Sequence, residues 1–132
     1  MIDHVTLHVS DFGRSLDFYR AALKPLGYAV IMHLTREQIP VLPMSEGAGL
    51  GVAGKPDLWL RAADGGPVVP THIAIRAENR AAVDAFHAAA LAAGGTDHGA
   101  PGLRTQYHPN YYGAFVLDPD GYNLEAVCHT AE

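Results

Sequence analysis

The feature that most restricts this chain is a repeat of its own sequence at a distance of 68 residues. His4-Val5-Thr6-Leu7 falls on His72-Ile73-Ala74-Ile75, Phe18 on Phe86, Ala21-Ala22-Leu23 on Ala89-Ala90-Leu91, and Gly27 on Gly95. Alanine-rich helices match one another easily, so the weight rests on the histidine, phenylalanine and glycine that coincide at one shift. A chain of 132 residues has the size of one domain, and here that domain must be two similar units sharing a core.

Each unit opens as a strand followed by a helix. Ile2–Val9 and Thr71–Arg76 alternate with period two, as a half-buried strand does. The first helix is expected over about Arg14–Lys24, capped by Ser10 or Asp11 and ended before Pro25. The second is expected over about Arg80–Ala93, capped by Asn79 and stopped at Gly94-Gly95. Its apolar stripe is Val83, Phe86, Ala90 and Leu91. Shorter strands follow: Tyr28–Leu34, Leu50–Ala53 and Asp57–Arg61, then Thr96–His98, Tyr112–Leu117 and Asn123–Cys128. Asp118-Pro119-Asp120-Gly121 is a hairpin turn, with Pro presetting φ and Gly free to take positive φ. Arg36–Gly49 and Gly99–Asn110 read as loops. The whole is one domain of two βαβββ modules, residues 1–62 and 70–132, joined by 63–69.

Composition removes several classes of function. Nine basic residues against fourteen acidic ones, a net charge of -5 and only two lysines leave no basic cluster for nucleic acid. No apolar run approaches the roughly 18 residues of a membrane span. Met1-Ile2-Asp3-His4 has neither a basic region nor an apolar signal core, and the single Cys128 permits no internal disulfide, so a cytoplasmic protein is expected. Eight histidines are the unusual count, and they fit metal binding, acid–base chemistry or no special role at all.

Strand alternation sorts those histidines. Val5, Leu7 and Val9 share one face of the first strand, and His4, Thr6 and His8 the other. His72, Ala74 and Arg76 lie opposite Ile73 and Ile75, and Glu125 lies opposite Leu124 and Ala126. A helix covers the aliphatic face, so His4, His72 and Glu125 stand on the other. If the sheet curls they converge, and two imidazoles with one carboxylate make a facial site for Zn, Ni, Mn, Co or Fe with positions left open. Next to the last hairpin, His108, Tyr111 and Tyr112 are candidates for orienting a substrate or moving a proton. Trp59, Arg76 and Arg104 are the candidate substrate contacts.

Three segments carry a family resemblance that covers essentially the whole chain. They are Ile2–Val9 with the Ser15-Leu16-Asp17-Phe18-Tyr19 helix, Thr71–Ile75, and Phe115-Val116-Leu117-Asp118-Pro119-Asp120-Gly121-Tyr122-Asn123-Leu124-Glu125. In them the chain resembles the vicinal oxygen chelate superfamily of glyoxalases, bleomycin resistance proteins and extradiol dioxygenases. The resemblance implies an α+β fold whose paired βαβββ modules form a cup-shaped, partly open eight-stranded mixed sheet with helices outside. It implies a divalent metal on His4, His72 and Glu125, and a homodimer in which a site is sometimes shared between subunits. It implies a metal-dependent enzyme acting on a small substrate that chelates through adjacent oxygens, with isomerase or lyase, thiol transferase and dioxygenase all open. The alternative it implies is a non-catalytic protein that sequesters a small planar molecule. One departure stands out: glyoxalase I enzymes carry a second glutamate on the last strand of the first module, and Asp57-Leu58-Trp59-Leu60-Arg61 has none.

Overall fold

The computed structural model describes residues 1–132. The first module runs β1 (Val5–Val9), α1 (Phe12–Ala22), a 3-10 turn (Lys24–Leu26), β2 (Ala29–Thr35), β3 (Glu46–Val52) and β4 (Lys55–Ala62). The second runs β5 (His72–Arg76), α2 (Arg80–Ala92), β6 (Thr96–Leu103), β7 (Tyr112–Leu117) and β8 (Asn123–Cys128). The fold is α+β, with two helices and two mixed sheets ordered β1-β4-β3-β2 and β5-β8-β7-β6. The eight strands are thus divided between two four-stranded sheets, each with its first strand at an open edge. Neither helix is long and apolar enough to cross a membrane.

The helices form where the caps allow. Asp11, not Ser10, accepts from the Arg14 amide at 3.0 Å, and α1 therefore starts two residues before the expected Arg14. Asn79 accepts from the Ala82 amide at 2.8 Å and starts α2. Phe18 and Phe86, the repeated phenylalanines, are fully buried in one shared cluster with Leu7, Val9, Leu60, Val83, Val116 and Leu124. Leu91 departs from its place in the apolar stripe and is 37% exposed. The repeated glycines serve two different needs. Gly27 takes φ 83°, the left-handed region, to close the 3-10 turn. A Cβ at Gly95 would lie 2.5 Å from Val116 Cγ1 and 2.9 Å from Phe18 Cε2, so its lack of a side chain lets the two modules meet.

Three strands are longer than their sequence suggests, β4 running Lys55–Ala62 rather than Asp57–Arg61. β3 begins at Glu46 rather than Leu50, although Gly47, Gly49 and Gly51 are poor strand formers. Their missing side chains make room for Met44, Trp59 and the Lys55–Pro56 backbone. β6 extends past His98 to Leu103 as an edge strand, with register breaks around Gly99 and Pro101 within it. Bulges and proline are tolerated at an edge and erase the alternation that would have revealed it.

The Asp118–Gly121 turn ties the modules together. Tyr19 in α1 donates to buried Asp118 Oδ2 at 2.8 Å, and Tyr122 donates to the His8 carbonyl at 2.8 Å. The Ser10 amide donates to Asp120 Oδ2 at 3.0 Å, and the Ser10 hydroxyl donates to Oδ1 of the same carboxylate. Burial raises the Asp118 carboxyl above the usual carboxylate range. With α1 packed on α2, these bonds fix how the two sheets sit, and so where their histidines stand.

Candidate metal centre

β5 pairs in parallel with β8, which brings Ala74 opposite Glu125 and His72 opposite Asn123. His72 and Glu125 then meet across the strands, His72 Nε2 lying 2.8 Å from Glu125 Oε2. Glu125 is only 1% exposed, whereas the His72 side chain is 51% exposed on the open edge. The 2.8 Å separation is a hydrogen bond; as an imidazole nitrogen and a carboxylate oxygen side by side, the two are a donor pair of the chemistry a divalent cation takes. Tyr111 donates its hydroxyl to the other carboxylate oxygen, Oε1. Burial, and then that hydrogen bond, push the Tyr111 hydroxyl up to about 12.

His4 does not join this pair. It sits just before β1 on the other sheet, its Nδ1 2.8 Å from Asp3 Oδ1, and no three His, Cys, Asp or Glu side chains of the single chain come together to hold an ion. The expected convergence of His4, His72 and Glu125 is therefore absent within one chain, because β1 and β5 edge two separate sheets. The Asp3 contact leaves His4 Nε2 free, the arrangement in which a carboxylate orients an imidazole for a ligand. Hydrogen bonding from His4, and then Lys55 at 3.3 Å, hold the Asp3 carboxyl below its usual range.

His4 lines the cleft between the sheets with Ala74 and Arg76 of β5, and it also lines a cavity of about 480 Å³ with Thr6, Met44, Pro56, Trp59 and Arg61. The two ladders explain what stands there. Thr6 pairs with Trp59 just as Ala74 pairs with Glu125, and Thr6 and Ala74 are repeat equivalents. Trp59 thus holds in the first module the place that Glu125 holds in the second. Beside it lies Gly49, and beside Glu125 lies Phe115. A Cβ on Gly49 would come 3.0 Å from Trp59 Cζ2, so the indole lies close against bare backbone.

The remaining candidates separate. The Arg104 guanidinium lies 5.7 Å from the Phe115 ring centre, and Phe115 is 6.1 Å from the His72 ring, so Arg104 borders the His72–Glu125 face. Arg76 is exposed on that face of β5 and lines the cleft between the sheets with Asp57. His108 packs 5.9 Å from His129, whose ring in turn packs 5.1 Å from Tyr111. Tyr112 points the other way, donating to Asp84 of α2 at 2.7 Å under the Arg80 guanidinium. Its neighbour Gly113, not Tyr112, faces Glu125, as alternation along β7 requires. Asp3, Met44 and Lys55 escaped the sequence reading. Asp3 carried a signal, a carboxylate adjacent to a candidate ligand histidine, but the other two carried none.

The sequence profile described as "Glyoxalase/Bleomycin resistance protein/Dioxygenase superfamily" matches residues 1–126. Among solved structures, a glyoxalase/bleomycin resistance protein from Albidiferax ferrireducens T118 is 26% identical, with 97% of this chain and 98% of that one covered at a TM-score of 0.74. A glyoxalase/bleomycin resistance protein/dioxygenase family enzyme from Burkholderia phytofirmans PsJN is 23% identical, with 98% of each chain covered at 0.67. Glyoxalase I from Zea mays is 21% identical at 0.69, with 99% of this chain covered against 45% of the maize protein. The last two similarities establish the fold alone. No curated protein matches the chain.

Proposed function

The chain belongs to the glyoxalase/bleomycin resistance protein/dioxygenase superfamily, and from that premise we propose that it is a metal-dependent enzyme of the glyoxalase/dioxygenase type. Its substrate is a small molecule that presents two neighbouring oxygens. The observation that carries the reading is the pairing of His72 Nε2 with a buried Glu125 carboxylate, a nitrogen and an oxygen donor side by side on neighbouring strands. Zn, Ni, Mn, Co and Fe all suit that donor set. When bound, such an ion supplies Lewis-acid stabilisation of charge on substrate oxygens.

The third donor in this reading is His4 of the partner subunit in a homodimer. β1 and β5 both have an open edge, and a two-fold axis would set β1 of one copy beside β5 of the other, twice. The Trp59 cavity of one copy then faces the His72–Glu125 pair of the other. In that enclosure Trp59 stacks a planar or apolar part of the substrate, and Arg104 attracts its negative charge. Metal analysis of protein purified without chelator tests the reading. About one divalent ion per chain in the wild type and almost none in His72→Ala is expected; equal, negligible metal in both would refute it.

One observation favours a second reading, a protein that sequesters a planar molecule without chemistry. The indole of Trp59 lies on bare backbone in a ready-formed cavity that already has room for a ligand. Tight binding of an aromatic ligand, unchanged by metal removal or by Glu125→Gln, would favour it.

A further inference from the structure

The two oxygens of Glu125 are not equivalent. Oε2 faces His72 Nε2, and Oε1 accepts the Tyr111 hydroxyl. The second contact is built into the fold. A Cβ at Gly113 would lie 3.1 Å from Glu125 Oε1 and 3.2 Å from Tyr111 Cε1, so the absent side chain is what lets phenol and carboxylate meet. The Tyr111 ring is held edge-on by Tyr107 at 5.2 Å and by His129 at 5.1 Å, one from the preceding turn and one from the residue after β8. Two backbone bonds close that turn: the Arg104 amide to the Tyr111 carbonyl at 2.7 Å, and the Tyr111 amide to the His108 carbonyl at 2.9 Å. The phenol is thus fixed from three sides, and its proton points at a carboxylate oxygen rather than at the space before His72.

We propose that Tyr111 is a positioning residue that reserves Oε1 of Glu125, so that the carboxylate offers a metal ion one oxygen only. The inference rests on the metal-centre reading above. A carboxylate that chelates through both oxygens takes two positions on an ion; one that binds through a single oxygen takes one. On a six-coordinate ion with two imidazoles, the reserved oxygen leaves three positions instead of two. A substrate with two neighbouring oxygens then has a place and one position to spare. Tyr111 acts through Glu125, and its hydroxyl does not move a proton on the substrate.

Difference infrared spectra on adding Co²⁺ test this, because the splitting between the two carboxylate stretches is wide for one-oxygen binding and narrow for chelation. The Glu125 bands are those missing in Glu125→Gln. Wild-type protein is expected to show the wide splitting, and Tyr111→Phe, which removes one oxygen atom and keeps the ring, the narrow one. Cobalt affinity stays within about tenfold, the lower end of the usual effect of such a neighbour. Wide splitting in both proteins overturns the proposal, since Tyr111 would then be packing only. Narrow splitting in the wild type overturns it without any variant, and so keeps the test valid if Tyr111→Phe does not fold. If wild-type protein takes up no Co²⁺ that His72→Ala abolishes, the metal-centre reading fails and this inference with it.

Discussion

The two modules share a chain path and differ in chemistry. Each places a histidine at the head of its first strand, and each runs its last strand alongside in parallel. On that last strand one module has Trp59 over Gly49, and the other has Glu125 beside Phe115. One half is an aromatic wall with a cavity, the other a hydrogen-bonded histidine and glutamate with a tyrosine behind them. The two modules share packing positions, Phe18 and Phe86 among them, and differ on the open face. No three His, Cys, Asp or Glu side chains meet at one point of the single chain.

Substitutions should disturb the two modules to different degrees. The largest effect is expected at Gly51, where an added Cβ would meet the Lys55 carbonyl oxygen at 1.8 Å. Gly51→Ala must part β3 from β4, and a loss of at least about 3 kcal/mol is expected, read as insoluble or unfolded protein. Next is Tyr19→Phe, which strips a donor from buried Asp118. It should cost about 1–3 kcal/mol and lower the melting temperature by several degrees. Tyr122→Phe, whose lost acceptor is a backbone carbonyl, should cost about 1 kcal/mol.

Trp59→Glu gives the first module the carboxylate of the second. If Trp59 and Glu125 are equivalent places, this variant binds Co²⁺ more tightly than wild type in a calorimetric titration. Unchanged affinity would mean that the equivalence of register does not extend to the assembled site.

The smallest effect is electrostatic. Hydrogen bonds from the Ser45 hydroxyl, and then from its amide, hold the Asp64 carboxyl below the usual range. A depressed carboxylate stabilises the fold above its unfolded pKa of about 3.9 and loses that contribution as pH falls through the folded value. Ser45→Ala should therefore be slightly less stable at pH 7, and should lose less stability than wild type between pH 4 and lower values. Parallel acid-unfolding curves for the two proteins would contradict this.

How much of this was legible in the sequence follows from what each residue depends on. The βαβββ order, both caps, β7 and β8 were readable because they obey local rules, a capping side chain or period-two alternation. β3 and β6 were obscured, one by glycines that exist for the sake of Trp59 and Pro56, the other by edge irregularity. Alternation put His4, His72 and Glu125 on the face away from the helices. It could not tell that β1 and β5 edge different sheets, since that depends on side chains 99 and 110 residues apart, Tyr19 with Asp118 and Ser10 with Asp120. Tyr111 and Tyr112 are neighbours in sequence and face opposite ways, and only the ladder of β7 with β8 says which one reaches Glu125.

In the proposed dimer, His4 of one subunit completes the His72–Glu125 pair of the other. Mixing His4→Ala with His72→Ala protein, unfolding and refolding them together, and counting bound Co²⁺ tests it directly. Neither variant alone should hold the ion. In the mixture half the dimers are mixed, and each has one intact site of two, so about a quarter of wild-type cobalt should return. Cobalt uptake in the mixture no greater than in either variant alone, with mixed dimers present, would contradict the account.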